Sequence, residues 1–219
     1  PDGLFFAAKG GTNGESHNHN DVGTFMVYYN GQPAIIDAGV GAYTAKTFSS
    51  DRYSIWSMQS QYHNLPTING VMQEAGVKFA ANNPVYLSGE TRVRFSLGLS
   101  SCYPTAAAVQ QWDRKFDFKR GKELILTDDF KLTEIKGITS WNFITCLKPL
   151  ITKDGCITLS SNGEYKTSRN ILVLYSGEAL DAVIEEIELL PSDGYQWKSN
   201  LYRIILTPES MKSSGEYRF

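Results

Sequence analysis

Histidine is scarce in this chain. Among 219 residues there are three, and two of them, His17 and His19, stand one residue apart in "ESHNHNDVG". Cysteine is equally scarce, with Cys102, Cys146 and Cys156 the full set. An odd count without regular spacing excludes a disulfide framework, and no CxxC pair signals a thiolate metal site. Three buried thiols is the favoured reading, with a single Cys146–Cys156 bridge as the alternative if the two face each other across a hairpin. No apolar run approaches the roughly 20 residues that a helical membrane span requires. A basic excess is missing too: 21 Lys and Arg against 23 Asp and Glu leave a formal charge of −2. Nucleic acid is therefore not an expected partner, although a local basic groove for an acidic sugar survives that reasoning.

What is present is enough to fold. Hydrophobic residues make up 42% and aromatics 12% of the chain, which supports a substantial core and excludes disorder. Long helical patterns are nearly absent, and strand signals dominate. "LFFAAKGG" is apolar and ends at Gly10. "TFMVYYNGQPAIIDAG" predicts a hairpin around Asn30-Gly31, a favoured turn pair. "VQQWDRKFDFKRGKELILTDDFKL" predicts a second hairpin, one face buried and one wet. "WNFITCLKPLITKDGCITLSS" predicts a third, with Asp154-Gly155 near its turn, and "RNILVLYSG" and "LYRIILTP" add strands. "GEALDAVIEEIELLPSDG" fits a helical stripe or a strand, and its all-β company favours the strand. A short helix is expected between Phe48 and Gln61. The whole reads as one all-β domain over residues 1–219, a large antiparallel sandwich. The residues from Pro1 onward carry no signal-peptide pattern, and such an opening reads as that of an excised domain.

The third histidine is His63, and each of the three is followed by asparagine. If "SHNHN" is extended, His17 and His19 project to one face, because side chains alternate along a strand. Asp37 closes the apolar run "PAIIDAG", where a carboxylate needs a partner to offset desolvation. Two imidazoles and a carboxylate are a recurrent zinc set. A metal-free, hydrogen-bonded cluster of histidines with Asp37 and Asp21 explains the same residues.

The compound pattern "ESHNHNDVG", then "IIDAGVGAY", then "HNLPTINGVMQ" resembles the β-sandwich domain of the heparinase II/III-like polysaccharide lyases. The resemblance is specific over about residues 8 to 73 and general beyond them. It implies that His17 faces the substrate groove as the catalytic histidine, and that His19, Asp37 and His63 hold one Zn2+. It implies cleavage of a uronic-acid polysaccharide, of glycosaminoglycan or alginate type, by β-elimination, in a bacterial periplasm or after secretion. It further implies an amino-terminal α/α-toroid domain, absent from these residues, that completes the groove. The chain alone is then expected to bind zinc but to turn over substrate slowly or not at all. A homodimer is compatible with this reading.

Around these residues, Tyr53 is the candidate tyrosine acid or base. Glu15, Asn18, Arg52 and Tyr43 are candidates for lining the groove, Arg52 by pairing with a substrate carboxylate. Two other readings compete. One is a non-catalytic carbohydrate-binding or structural sandwich, with Trp56, Trp112 and Trp197 as stacking surfaces. The other is a zinc hydrolase with Glu15 as base.

Overall fold

The structure, a computed structural model, describes residues 3–176 and 180–219. The opening Pro1 and residues 177–179 of the ambiguous segment lie outside the described residues. The chain forms strands joined by short 3-10 turns, and all the strand pairs are antiparallel. Five strands, β7 (Asn82–Ser88), β8 (Arg92–Gly98), β9 (Val109–Lys119), β10 (Glu123–Leu132) and β17 (Ser214–Arg218), make the largest sheet, in the order β17-β10-β9-β8-β7. Facing it is a four-stranded sheet, β15-β16-β11-β5, built from β5 (Pro66–Thr67), β11 (Ser140–Thr145), β15 (Leu180–Ile187) and β16 (Leu201–Pro208). A third sheet orders β1 (Leu4–Ala8), β3 (Phe25–Tyr29) and β4 (Gln32–Ile35). A fourth holds β12 (Lys148–Lys153), β13 (Cys156–Ser160) and β14 (Ile171–Leu174), and β2 (Thr12–Asn13) pairs with β6 (Gly76–Ala80).

The core fills the space between the sheets. Trp112 and Phe116 of β9 and Phe130 of β10 meet Trp141 and Phe143 of β11 and Ile204 and Leu206 of β16, all buried. The Trp112 and Trp141 rings stand 5.6 Å apart, and Phe25 bridges Phe116 and Phe143 at 5.3 and 6.1 Å. Aromatic burial on this scale is what lets an all-β chain repay its ordering entropy.

The predicted hairpins form. Asn30 and Gly31 both take positive φ, 49° and 76°, which matches the twist of a two-residue turn between β3 and β4. β9 and β10 pair around Gly121, and β12 and β13 around Gly155. The ambiguous segment is a strand: β15 pairs with β16 from Leu180 to Ile187, and Val183, which a helical stripe would bury, is 58% exposed. The helix expected between Phe48 and Gln61 is instead a run of four 3-10 turns, Ala45–Phe48, Ser50–Ser54, Trp56–Met58 and Ser60–Tyr62. Serines explain this, because their hydroxyls compete for backbone partners. Ser49 Oγ accepts from Asp51 N and donates to Lys46 O, and Ser54 Oγ donates to Asp51 O. All three thiols are free and buried. Cys156 faces Lys153 and Leu174 within its own sheet, while Cys146 Sγ lies 3.8 Å from Pro33 O, so the alternative bridge is not formed. No helix among the described residues is long and apolar enough to cross a membrane.

Candidate metal centre

Three connections converge at one corner of the sandwich. The segment from Gly14 to His17 makes a turn, and His17 itself has φ 58°. That left-handed conformation corrects the extended reading of "SHNHN": strand alternation does not set the relation between His17 and His19. His17 is exposed, its ring edge-on to Tyr43 at 6.3 Å, whereas His19 turns inward. Asp37 follows Ile36, whose N–H donates to Ile144 O at 2.9 Å. His63 ends the last 3-10 turn, donating its backbone N–H to Ser60 O at 3.2 Å.

His19, Asp37 and His63 each offer a ligand atom, and these atoms all lie within 4.8 Å of one another. His63 Nδ1 stands 2.9 Å from Asp37 Oδ2, and Asp37 Oδ1 accepts the Gly39 N–H at 2.8 Å. The His19 and His63 rings are 5.3 Å apart. His63 is fully buried, and its Nε2 has no hydrogen-bond partner. Donors around one tetrahedral zinc ion at about 2.0–2.2 Å sit about 3.3–3.6 Å apart, so the group closes on such an ion when its widest pair draws in by up to roughly 1.5 Å. Borderline nitrogens, a hard oxygen and an orphaned buried imidazole nitrogen all fit a small divalent cation.

The electrostatics favour a ready ligand set. Burial, with His63 beside it, lowers the His19 pKa to about 4, so this imidazole is neutral at physiological pH. Burial opposes charge on His63, but the Asp37 carboxylate overrides it by charge and hydrogen bond and raises the His63 pKa. Asp37 is the mirror case: burial alone would raise it, yet His63 and the Gly39 N–H hold it well below the usual carboxylate range.

The remaining site residues hold the loop that carries the histidines. Tyr53 donates its hydroxyl to Asn18 Oδ1 at 2.8 Å, and Asn18 Nδ2 donates to Asn13 O and His19 O at 2.6 and 3.0 Å. Arg52 donates Nε and Nη2 to Asn18 O at 3.3 and 3.0 Å and Nη1 to Thr47 O at 2.8 Å. Its guanidinium is thus engaged with backbone between the two histidines. Glu15 is exposed, 3.6 Å from Lys9 Nζ, and Asp21 pairs with the same lysine at 2.6 Å rather than with an imidazole. Of the tryptophans weighed as stacking surfaces, Trp112 is completely buried, and Trp197 donates Nε1 to Ala38 O at 2.9 Å.

Sequence reasoning missed several contributors. Phe48, 70% exposed, stacks on Tyr43 at 5.6 Å and 20°, extending the aromatic surface beside His17. Asn13 and Gln73, both buried, bond to each other at 2.9 Å, and Asn13 Oδ1 accepts from Asp21 N behind the histidine loop. Gln73 was visible as the last letter of "HNLPTINGVMQ"; nothing in the sequence marks Phe48 or Asn13.

The fold recurs in solved lyases. The heparan sulfate lyase HepC from Pedobacter heparinus superposes with a TM-score of 0.76 at 15% identity, covering 98% of this chain and 32% of that one. A structure of Heparinase III gives 0.66 at 18% identity, covering 93% of this chain and 30% of that one. The chain thus spans about a third of the length of these enzymes. No curated protein matches the chain. A family model described as "Heparinase II/III-like, C-terminal" matches residues 4–216, and the chain belongs to that family.

Proposed function

We propose that this chain is the metal-bearing sandwich of a polysaccharide lyase that cleaves a uronic-acid polysaccharide by β-elimination. The single observation that carries the proposal is that an exposed imidazole, His17, shares one short loop with His19, which turns inward to meet Asp37 and His63 from two other segments. The family and the heparan sulfate lyase fold support the reaction class. Glycosaminoglycans and alginate both fit the chemistry. A secreted or periplasmic setting belongs to the same proposal.

In such a reaction the C5 proton of the uronate is removed and the C4 oxygen leaves. The charged carboxylate makes that proton weakly acidic, so donors fixed in advance must neutralise the carboxylate and the enolate that grows from it. His17 is exposed and therefore able to act as base or as neutralising donor. Tyr43 and Phe48 present a flat aromatic surface next to it, suited to a sugar ring. Asn18, held by Tyr53 and Arg52, fixes the backbone on both sides of the two histidines, and the geometry supports a positioning role for all three. His19, Asp37 and His63 would hold zinc, and the ion would supply a rigid anchor for the loop. Glu15 lies at the outer edge of the loop, where it meets solvent and Lys9.

The complete enzyme tests the proposal. Substitution His17→Ala should abolish the growth of unsaturated-uronate absorbance while zinc content, measured by atomic emission, stays at one ion per chain. Retained elimination by that variant, or hydrolysis products without the new double bond, would overturn it.

A further inference from the structure

We infer that Asn64 is a positioning residue of the metal centre, its side-chain amide setting the spacing between His63 and Asp37. The inference rests on the metal-binding reading above.

Asn64 follows His63 directly and is completely buried. Its Nδ2 donates to Ile36 O at 2.8 Å and to Phe25 O at 2.6 Å, and its Oδ1 accepts the Ile144 N–H at 2.7 Å. Ile36 in turn donates its N–H to Ile144 O at 2.9 Å. The side-chain amide therefore stands where a peptide group would continue the ladder between the chain leaving β4 and β11. Ile36 immediately precedes Asp37. One amide thus ties the backbone next to one metal ligand to the backbone next to another, from which the His63 Nδ1–Asp37 Oδ2 separation of 2.9 Å follows.

The main chain of Asn64 is fixed as firmly. Its N–H donates to Thr24 Oγ1 at 3.2 Å, and its carbonyl accepts from Arg114 Nη1 at 2.6 Å. The same Nη1 reaches Gly23 O at 3.1 Å, and the guanidinium is anchored by Asp128. Every polar atom of Asn64 is used, so the residue has no freedom to move without breaking a buried bond.

A generic loss of stability must be told apart from a loss of positioning, and the fold provides a matched control. Asn69 is also buried and bonded on both sides of its amide, with Nδ2 on Ala107 O and Glu134 O and Oδ1 accepting from Lys136 N and Gly137 N. Those partners tie loops that carry no metal ligand.

The experiment measures Zn2+ affinity by chelator competition for the wild-type chain, Asn64→Ala and Asn69→Ala, with unfolding midpoints recorded for the metal-free forms. Outer partners of metal ligands typically contribute 10–100-fold in affinity. Asn64→Ala should therefore bind Zn2+ at least about 10-fold more weakly, whereas Asn69→Ala should lose stability and keep the wild-type affinity. If Asn64→Ala does not fold, Asn64→Ser, which retains a hydroxyl in place of the amide, is judged by the same criterion. Unchanged affinity in the Asn64 variant, or equal losses in both variants, overturns the positioning role. A wild-type chain that takes up no Zn2+ overturns the metal reading itself, and the inference with it.

Discussion

Arg114 and Asp128 stand directly opposite each other on β9 and β10, Nη2 to Oδ2 at 2.6 Å, with both side chains wholly buried. Asp128 also accepts the Trp141 indole N–H at 2.8 Å. Removing one member of a buried pair strands the other charge. Arg114→Met should destabilise the chain by about 3–5 kcal/mol, read from urea unfolding. The double substitution Arg114→Met with Asp128→Leu should recover only part of this, because Gly23 O, Asn64 O and Trp141 Nε1 lose their partners. Full recovery would show that the hydrogen bonds to those carbonyls contribute nothing.

Zinc uptake should release about one proton per ion. His63, raised by Asp37, keeps its proton where a free imidazole has lost it, so the metal must displace it. His19, lowered to about 4, is already neutral and releases none. Affinity should therefore rise with pH through the range above the ordinary histidine value of 6.5. Calorimetric titration in buffers of different ionisation heat measures the proton count, and a value of two would contradict the assignment.

The metal-free chain should show its own pH dependence in acid. Between about 4 and 6.5 the unfolded His19 binds a proton that the folded one refuses, so stability falls as pH drops through that window. The His63 contribution is complete below 6.5 and is lost as pH rises through its elevated value. Thermal melts in chelator from acid to neutral pH should therefore peak near the crossover of the two effects. A midpoint flat across the acid window would sink this account.

Zinc at about 100 times its Kd should stabilise the chain by about 2.7 kcal/mol, raising the melting midpoint by roughly 5–11 °C for a domain of this size. Asp37→Ala should abolish the shift, since its carboxylate meets His63 at 2.9 Å. Persistence of the shift in that variant would place the ion elsewhere.

Tyr53→Phe separates anchoring from proton transfer. The phenol is committed to Asn18 Oδ1, so losing it should lower stability by about 0.5–1.5 kcal/mol and lower lyase activity of the complete enzyme by less than about tenfold, with an unchanged pH profile. A loss in the range of about 10²–10⁴, the usual contribution of general acid–base catalysis, would assign the proton transfer to Tyr53 itself.

The sandwich was legible because period-two alternation and turn pairs are local signals. Phe116 and Phe118 fall on one face of β9, and Asn30-Gly31 dictates its own turn. The candidate metal group was legible because histidine is rare and His19, Asp37 and His63 fall in a distinctive frame. Orientation was not. The left-handed backbone of His17 adjoins Asn18, which Arg52 and Tyr53 grip through contacts made across 34 and 35 residues of sequence. Nor was the support beneath the site. Arg114 falls in the buried register of β9, between Trp112 and Phe116, but only the opposing strand reveals that Asp128 neutralises it. The serine-rich run from Ser49 to Ser60 carried a helical look that local hydroxyl bonds broke into 3-10 turns.

The sulfur chemistry of the chain has a consequence for how such a protein travels. Cys102 and Cys146 are pushed by burial to about 12, and all three thiols are sealed inside the folded chain. In the folded state Cys102 and Cys146 offer almost no thiolate for glutathione, alkylating reagents or an oxidoreductase at neutral pH. The native structure asks for no oxidant to form and no reductant to persist, so the same fold can exist on either side of a redox boundary without a covalent change.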